Sequence, residues 1–304
     1  MSTEIYERVT ERIMDQLRKG VVPWQKPWDA RVSMPRNLVS QKEYRGINVL
    51  LLLSLAYKSP FWLTYRQVNQ LGGKVKRGEK ACPVVFWKRY TFEEKDTKMQ
   101  MEVPFLRYYY VFNLAQCEGL TAEPEMPVVS TPGDPLQAAK DIAIKMPQPP
   151  AIKHGKVKAC YSPRDDQVSL PSPPQFDKPA DYYATLFHEL VHATGHETRL
   201  KRKAIMEGGV FGSDSYGKEE LLAEIGASFL CGRAGILDRT FNNSAAYIGS
   251  WLKQLQNDTK LIVQAAACAQ RATDFILNAG GQSVMPDKQS VEKLIQGVAA
   301  ARAA

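Results

Sequence analysis

The segment His188-Glu189-Leu190-Val191-His192 constrains this chain more than any other. Pro179 and Gly195 bracket it, and Tyr183, Leu186, Phe187, Leu190 and Val191 recur between them at helical spacing. Proline at the start and glycine past the end suit helix termini. On such a helix, histidines four apart project from one face and can bind one metal ion, with Glu189 beside it. The pattern points to zinc, which lowers the pKa of a bound water to about 7; a neighbouring carboxylate can then take the proton and carry it to a leaving amine. Two histidines are one protein ligand short of a catalytic zinc site, so the fold must bring a second element over this helix.

Only four histidines occur, and His154 alone lies outside 188–196. A better source of a third ligand is the acidic run Lys218-Glu219-Glu220-Leu221-Leu222-Ala223-Glu224-Ile225-Gly226-Ala227, part of a helix expected over 218–233. Glu220 and Glu224 share a face there, and the small residues permit close packing on the first helix. This resembles the glutamate zincins, metallopeptidases whose third ligand opens an E-x-x-x-[DE] segment and whose later acid orients a ligating histidine. The resemblance implies Glu220 as ligand and Glu224 behind it, with the reverse order, or Glu219 in place of Glu220, left open. His196 lies eight residues after His188, whereas the metzincin pattern puts its third histidine ten after the first, at Thr198 here. His196 is therefore assigned to a supporting contact, a substrate contact or a helix cap. Tyr216 and Tyr247 are candidate donors to a tetrahedral oxyanion. The stretch Gln167–Leu170 resembles the zincin edge strand that pairs with an extended substrate, and an ordinary exposed edge reads equally well.

Charge separates the two ends of the chain. From Arg18 to Arg89 there are fifteen Lys or Arg against three acids, an excess larger than the whole chain's +8, so the remainder is net negative. Four of the five tryptophans fall in the same quarter. Single strands of nucleic acid are held by cations on phosphates and aromatic faces on bases. The candidate contacts are Trp24, Lys26, Trp28, Arg36, Tyr44, Arg45, Trp62, Arg66, Lys74, Lys76, Arg77, Lys80 and Trp87, the lysines and arginines from 74 to 80 forming a basic loop between Gly72-Gly73 and the strand that follows. The same aromatics would also serve a strand-rich core, and an acidic protein partner would also answer the charge. The phosphate-binding pattern G-x-x-x-x-G-K-[ST] is absent.

Seven prolines between Thr121 and Ala151 suggest a boundary near 121–134, dividing the chain into residues 1–125 and 134–304. The fold class expected is α+β. The first part holds helices over 3–19 and 46–57 and an antiparallel sheet containing a long hairpin, Cys82 to Tyr90 with Pro104 to Leu114. The second part has strands at Ile152 to Tyr161 and Gln167 to Leu170, then helices over 218–233, 244–256 and 258–278. Five scattered cysteines without a C-x-x-C pair argue against a disulfide framework. The longest apolar run falls far short of the roughly 20 residues of a membrane span, and the N-terminal stretch lacks a leader's apolar block. A cytoplasmic protein without membrane contact is expected.

Both parts together resemble the ArdC-type antirestriction proteins of conjugative plasmids. The resemblance rests on Tyr6-Glu7-Arg8-Val9-Thr10, Pro23-Trp24-Gln25-Lys26-Pro27-Trp28, Tyr44-Arg45-Gly46-Ile47-Asn48, the glycine- and lysine-rich loop from Gly72 to Lys80, and Tyr110-Val111-Phe112-Asn113, with His188 to Leu200 and Glu219 to Leu230 in the second part. It implies an N-terminal domain that binds single-stranded DNA, a zincin-like metallopeptidase domain, and protection of incoming plasmid DNA from host restriction. A host protein such as a restriction enzyme is the candidate substrate of the peptidase site. Two other readings are a DNA-dependent protease degrading DNA-bound proteins, resembling the SprT type, and a binding module whose zinc only staples the fold.

Overall fold

The structure is a computed structural model that describes residues 2–24, 34–93, 100–120, 134–206, 214–236 and 245–279. Its first helix, α1 (Ser2–Arg18), forms because Ile5, Val9, Ile13 and Leu17 recur every turn, and all four are buried. The chain continues through β1 (Arg36–Asn37), α2 (Ile47–Leu53), β2 (Phe61–Thr64), α3 (Tyr65–Gln70) and β3 (Lys74–Val75). Thr64 and Gln67 form a capping box that starts α3 directly from β2. Strands β4 (Cys82–Glu93) and β5 (Gln100–Asn113) make the expected hairpin, paired from Cys82↔Val111 to Glu93↔Gln100. The sheet order is β1-β2-β5-β4, antiparallel except for β1 against β2, while β3 pairs with β6 (Cys117–Glu118).

In the second part, Asp134 caps α4 (Pro135–Ile144), its side chain accepting from the Leu136 backbone. Strands β7 (Ala151–His154), β8 (Cys160–Ser162) and β9 (Gln167–Leu170) precede α5 (Pro179–Ala193), α6 (Lys203–Met206), α7 (Asp214–Ala234), α8 (Ala245–Asn257) and α9 (Leu261–Ile276). The sheet order here is β7-β9-β8, with β7 parallel and β8 antiparallel to β9. This corrects two expectations. The segment from Ile152 to Tyr161 is two strands rather than one, separated beyond Gly155, whose φ of 106° suits glycine. Consequently β9 lies in the middle with both its edges paired, and the antiparallel edge strand is β8.

One hydrophobic cluster runs through both parts. It joins Ile13 and Leu17 of α1 and Leu50 of α2 to Leu255 of α8, Ile262 and Ala266 of α9, Leu230 of α7 and Phe187 of α5. Polar contacts cross with it. The Thr10 hydroxyl donates to the Thr259 carbonyl at 2.6 Å, and the Gly46 backbone N–H donates to Gln270 at 2.9 Å. Arg45 pairs with Asp274, and Arg233 with Glu43. No helix among the described residues is long and apolar enough to cross a membrane.

The core also claims three residues expected on a nucleic-acid surface. Trp24 is fully buried, edge to face with Trp251 at 6.1 Å; Trp62 is 2% exposed against Tyr57; Tyr44 is buried as well. All three belong to the main hydrophobic cluster, which leaves no ring face for a base. Trp24→Ala and Trp62→Ala should each cost about 3–5 kcal/mol of unfolding free energy by cavity formation. Denaturant titration checks this, and an unchanged midpoint for either variant would place that ring outside the core.

Candidate metal centre and nucleic-acid surface

Helix α5 packs on α7 at a point of close approach. A Cβ on Gly226 would lie 2.8 Å from the Val191 side chain, so only glycine lets the two helices meet here. Across that contact Glu220 of α7 meets the two histidines of α5. Its carboxylate oxygens lie 3.5 Å from Nε2 of His188 and 3.5 Å from Nε2 of His192, and the two Nε2 atoms are 3.1 Å apart. One ligand atom from each of the three residues falls within 4.8 Å of the others, two imidazole nitrogens and a carboxylate oxygen converging on one point. That donor set fits a divalent cation of the zinc type. Although burial opposes it, the hydrogen bonds with both histidines hold the Glu220 carboxyl well below its ordinary range, leaving it anionic.

Glu189 sits beside this cluster and is 7% exposed. Burial pushes its carboxyl above the ordinary range, against the pull of His188 and His192, and the Tyr161 backbone supplies a hydrogen bond. A buried carboxyl of raised pKa beside a metal position suits the accepting and passing on of a proton. The cleft above has a volume of about 440 Å³ and is lined by Ala159, Cys160, Tyr161 and Pro163 at the β8 edge, by Ala204 and Ile205 of α6, and by the ligand residues. Arg199 fixes the turn that carries β8, binding Asp166 through both guanidinium nitrogens at 2.8 Å and the Ala193 carbonyl at 3.0 Å.

The structure places Glu219, the residue before the expected ligand, behind His192, its oxygen 3.4 Å from Nδ1. Successive residues on a helix point about 100° apart, so Glu220 faces the cleft while Glu219 looks back toward the end of α5. There Arg202 clamps it through contacts of 2.6 and 3.1 Å, and donates to the Val191 carbonyl and the Thr194 hydroxyl at 2.7 and 2.6 Å. Burial is offset by His192 and Arg202, which hold Glu219 below the ordinary carboxylate range. Glu219 thus takes at His192 the place the resemblance gave to Glu224, which is half-buried one turn further on, while Nδ1 of His188 has no hydrogen-bond partner among the described residues. His196 lies outside the ligand cluster and bonds Thr198 in the turn after α5. The Tyr216 side chain is outside the described residues, and Tyr247 packs edge to face on Trp251. Nothing in local sequence singled out Arg202 or Arg199, whose partners are distant in the chain.

On the basic side, Arg66, Lys74, Lys76, Arg77 and Lys80 are exposed, with Lys76 also donating to the Ala115 carbonyl at 2.8 Å. Arg36 is largely covered and paired with Glu43, which takes its charge off a phosphate surface, whereas Arg45 pairs with Asp274 and stays exposed. Lys26, Trp28 and the Trp87 side chain lie outside the described residues.

Glu219→Gln and Arg202→Ala should each weaken metal affinity by about 10–100-fold, because a ligating imidazole loses the carboxylate that fixes its tautomer. Competition against a chelator of known affinity measures this, and an unchanged constant would show that Glu219 does not support the ligand.

Residues 3–112 match the family described as the N-terminal domain of anti-restriction factor ArdC, and residues 143–268 match the family described as zincin-like metallopeptidase. Two Escherichia coli proteins named DNA primase TraC are 36% and 35% identical over 90% of this chain, which spans only 27% and 20% of their lengths. The metal-free crystal structure of the antirestriction ArdC protein of plasmid R388 superposes with a TM-score of 0.72 at 38% identity, covering 89% of this chain and 96% of that one. The Mn(II)-bound structure of the same protein gives 0.72 at 36%, covering 92% and 99%. With the relation extending over nearly the full length of both chains, this protein belongs to the ArdC antirestriction family and combines its N-terminal domain with a zincin-like domain.

Proposed function

We propose that this chain is an antirestriction protein of conjugative plasmids that binds single-stranded DNA through residues 1–125 and carries a one-zinc peptidase site within residues 134–304. The observation that carries the metal reading is the convergence of His188, His192 and Glu220 within 4.8 Å, with buried Glu189 beside them. The Mn(II)-bound form of the R388 relative supports a divalent cation. For the DNA reading, the support is the match to the ArdC N-terminal family and the exposed cations Arg66, Lys74, Lys76, Arg77 and Lys80.

A bound zinc ion would supply Lewis acidity toward a carbonyl and toward water. The chain's own residues do the rest. His188, His192 and Glu220 hold the ion, and Glu219 with Arg202 keeps the His192 ring in place. Glu189 takes a proton from the water that attacks the carbonyl and gives it to the amine that leaves as the C–N bond breaks. The outer edge of β8 offers backbone groups to an extended peptide running through the cleft. That edge and cleft also favour a second reading, a protease of DNA-bound proteins such as a restriction enzyme, acting in the cytoplasm.

Glu189→Gln in the full chain tests both readings, the shared core arguing against separate halves. The variant should keep its metal and its DNA affinity, and hydrolysis of any peptide substrate should fall by at least about a hundredfold. Protection of transferred DNA in a restricting host should survive if binding suffices, and should vanish if proteolysis is the function. Affinity for oligo(dT) should fall linearly on a log–log plot against salt. Loss of the metal in Glu189→Gln would refute its role as a base outside the ligand set.

A further inference from the structure

Trp24 and Trp62 are in the core, yet the first part exposes other aromatics. Tyr108 and Tyr110 of β5 are 39% and 44% exposed, and Tyr65 at the start of α3 is 59% exposed. Alternate residues of a strand share a face, so Tyr108, Tyr110 and Phe112 form one row. Tyr108 and Tyr110 meet edge to face at 5.5 Å, and half-buried Phe112 meets Tyr65 at 6.5 Å. Arg8 of α1 stands over the other end. Its guanidinium lies 5.6 Å above the Tyr108 ring and donates to the Tyr110 hydroxyl at 3.2 Å, while also pairing with Glu4.

Charge lies along the same run of chain. Beyond Asn113, β5 turns through Leu114–Gln116 into β6, which pairs with β3 and so brings Lys74, Lys76, Arg77 and Lys80 to the end of the aromatic row. A cavity of about 510 Å³ opens at that end, lined among others by Lys58, Lys76, Leu114 and Ala115. Half-exposed rings with unburied cations beyond them offer the two contacts a single strand needs, aromatic surface for bases and charge for phosphates, and a duplex keeps its base faces covered. From Tyr108 to Phe112 the strand spans roughly 13 Å, room for a few nucleotides.

We infer that the Tyr108–Tyr110–Tyr65 face of β5 and α3, with Arg8 over it, is the platform on which bases of single-stranded DNA stack, the phosphates leading toward Lys76. The inference rests on the DNA reading of the preceding section and locates its contacts on residues other than the tryptophans.

The test uses the full chain and fluorescein-labelled oligo(dT) in a salt series. Tyr108→Ala with Tyr110→Ala should lower affinity at least about tenfold at fixed salt and leave the slope against log salt unchanged, since stacking releases no counterions. Tyr108→Phe with Tyr110→Phe should bind like the parent, because the ring stacks without its hydroxyl. Lys76→Ala with Arg77→Ala should reduce the slope by about one for each phosphate that is no longer neutralised. Should the alanine pair unfold, photocross-linking of the unaltered chain to a bromodeoxyuridine oligonucleotide should still label the peptide spanning 108–112, and labelling confined elsewhere would overturn the platform. Parent-like affinity of a folded alanine pair would overturn it too, leaving DNA binding itself intact. Failure of the unaltered chain to bind oligo(dT) would instead defeat the DNA reading on which the platform rests.

Discussion

The approach of α5 to α7 is the constraint on which the rest depends. Gly226 leaves no room for a side chain against Val191, and that spacing lets Glu220 of one helix reach the Nε2 atoms of two histidines on the other. Close packing is normally a stability matter, since interiors tolerate few voids and little overlap. Here the same packing sets the spacing of the three candidate ligands. The two helices are held in turn from outside: α7 lies against α9, and α5 lies on the sheet edge formed by β8 and β9. A ligand set spread over two helices is only as well placed as the contact between them, which accounts for the apolar, fully buried surroundings of Val191, Leu190, Ala223 and Ala227.

Behind the ligands stands a buried charge network that a purely apolar core would not contain. Glu219 and Arg202 are both nearly enclosed, and taking such groups from water costs several kcal/mol per ion before their attraction offsets it. The geometry around Arg202 shows how the cost is met. One guanidinium satisfies a carboxylate and adds to the bonds at the end of α5, donating to the Val191 carbonyl, which the Thr194 hydroxyl also reaches at 2.6 Å, and to that hydroxyl itself. The network therefore finishes α5, fixes Glu219 and through it turns the His192 ring, three tasks met by one side chain.

Legibility in the sequence followed the range of the interactions concerned. The helices α1, α5, α8 and α9 and the β4–β5 hairpin rest on local periodicity, and their expected spans, like that of the all-round buried α7, agree with the structure within a few residues. The histidine pair was legible for the same reason. Which acid of α7 stands behind a histidine was not, because it depends on the rotational phase of α7 against α5 and on Arg202, seventeen residues away. Strand order in the small sheet was likewise hidden: β7 and β9 are parallel neighbours with β8 between them in sequence. The aromatics of the first part show the limit most plainly. Trp24 and Trp62 look like base-stacking residues by composition, and only the position of Trp251 and Tyr57 reveals that both are core.

Composition changes sharply at the proline-rich stretch around 121–134, yet packing does not stop there. The last described helix, α9, returns to lie against α1 and α2 as well as α5 and α7, so its Ile262 and Ala266 belong to the same buried cluster as Ile13 and Leu50. Arg45 with Asp274, Glu43 with Arg233 and Thr10 with Thr259 fasten the same seam with charge and hydrogen bonds. Partly exposed ion pairs contribute little each, and the apolar seam contributes most. The proline-rich stretch thus marks a change of composition along the chain, while α9 joins the structures on either side of it. Helices α2 and α5 both lie against α9, so the helices of the first part and the helix that carries His188 and His192 share one packed core.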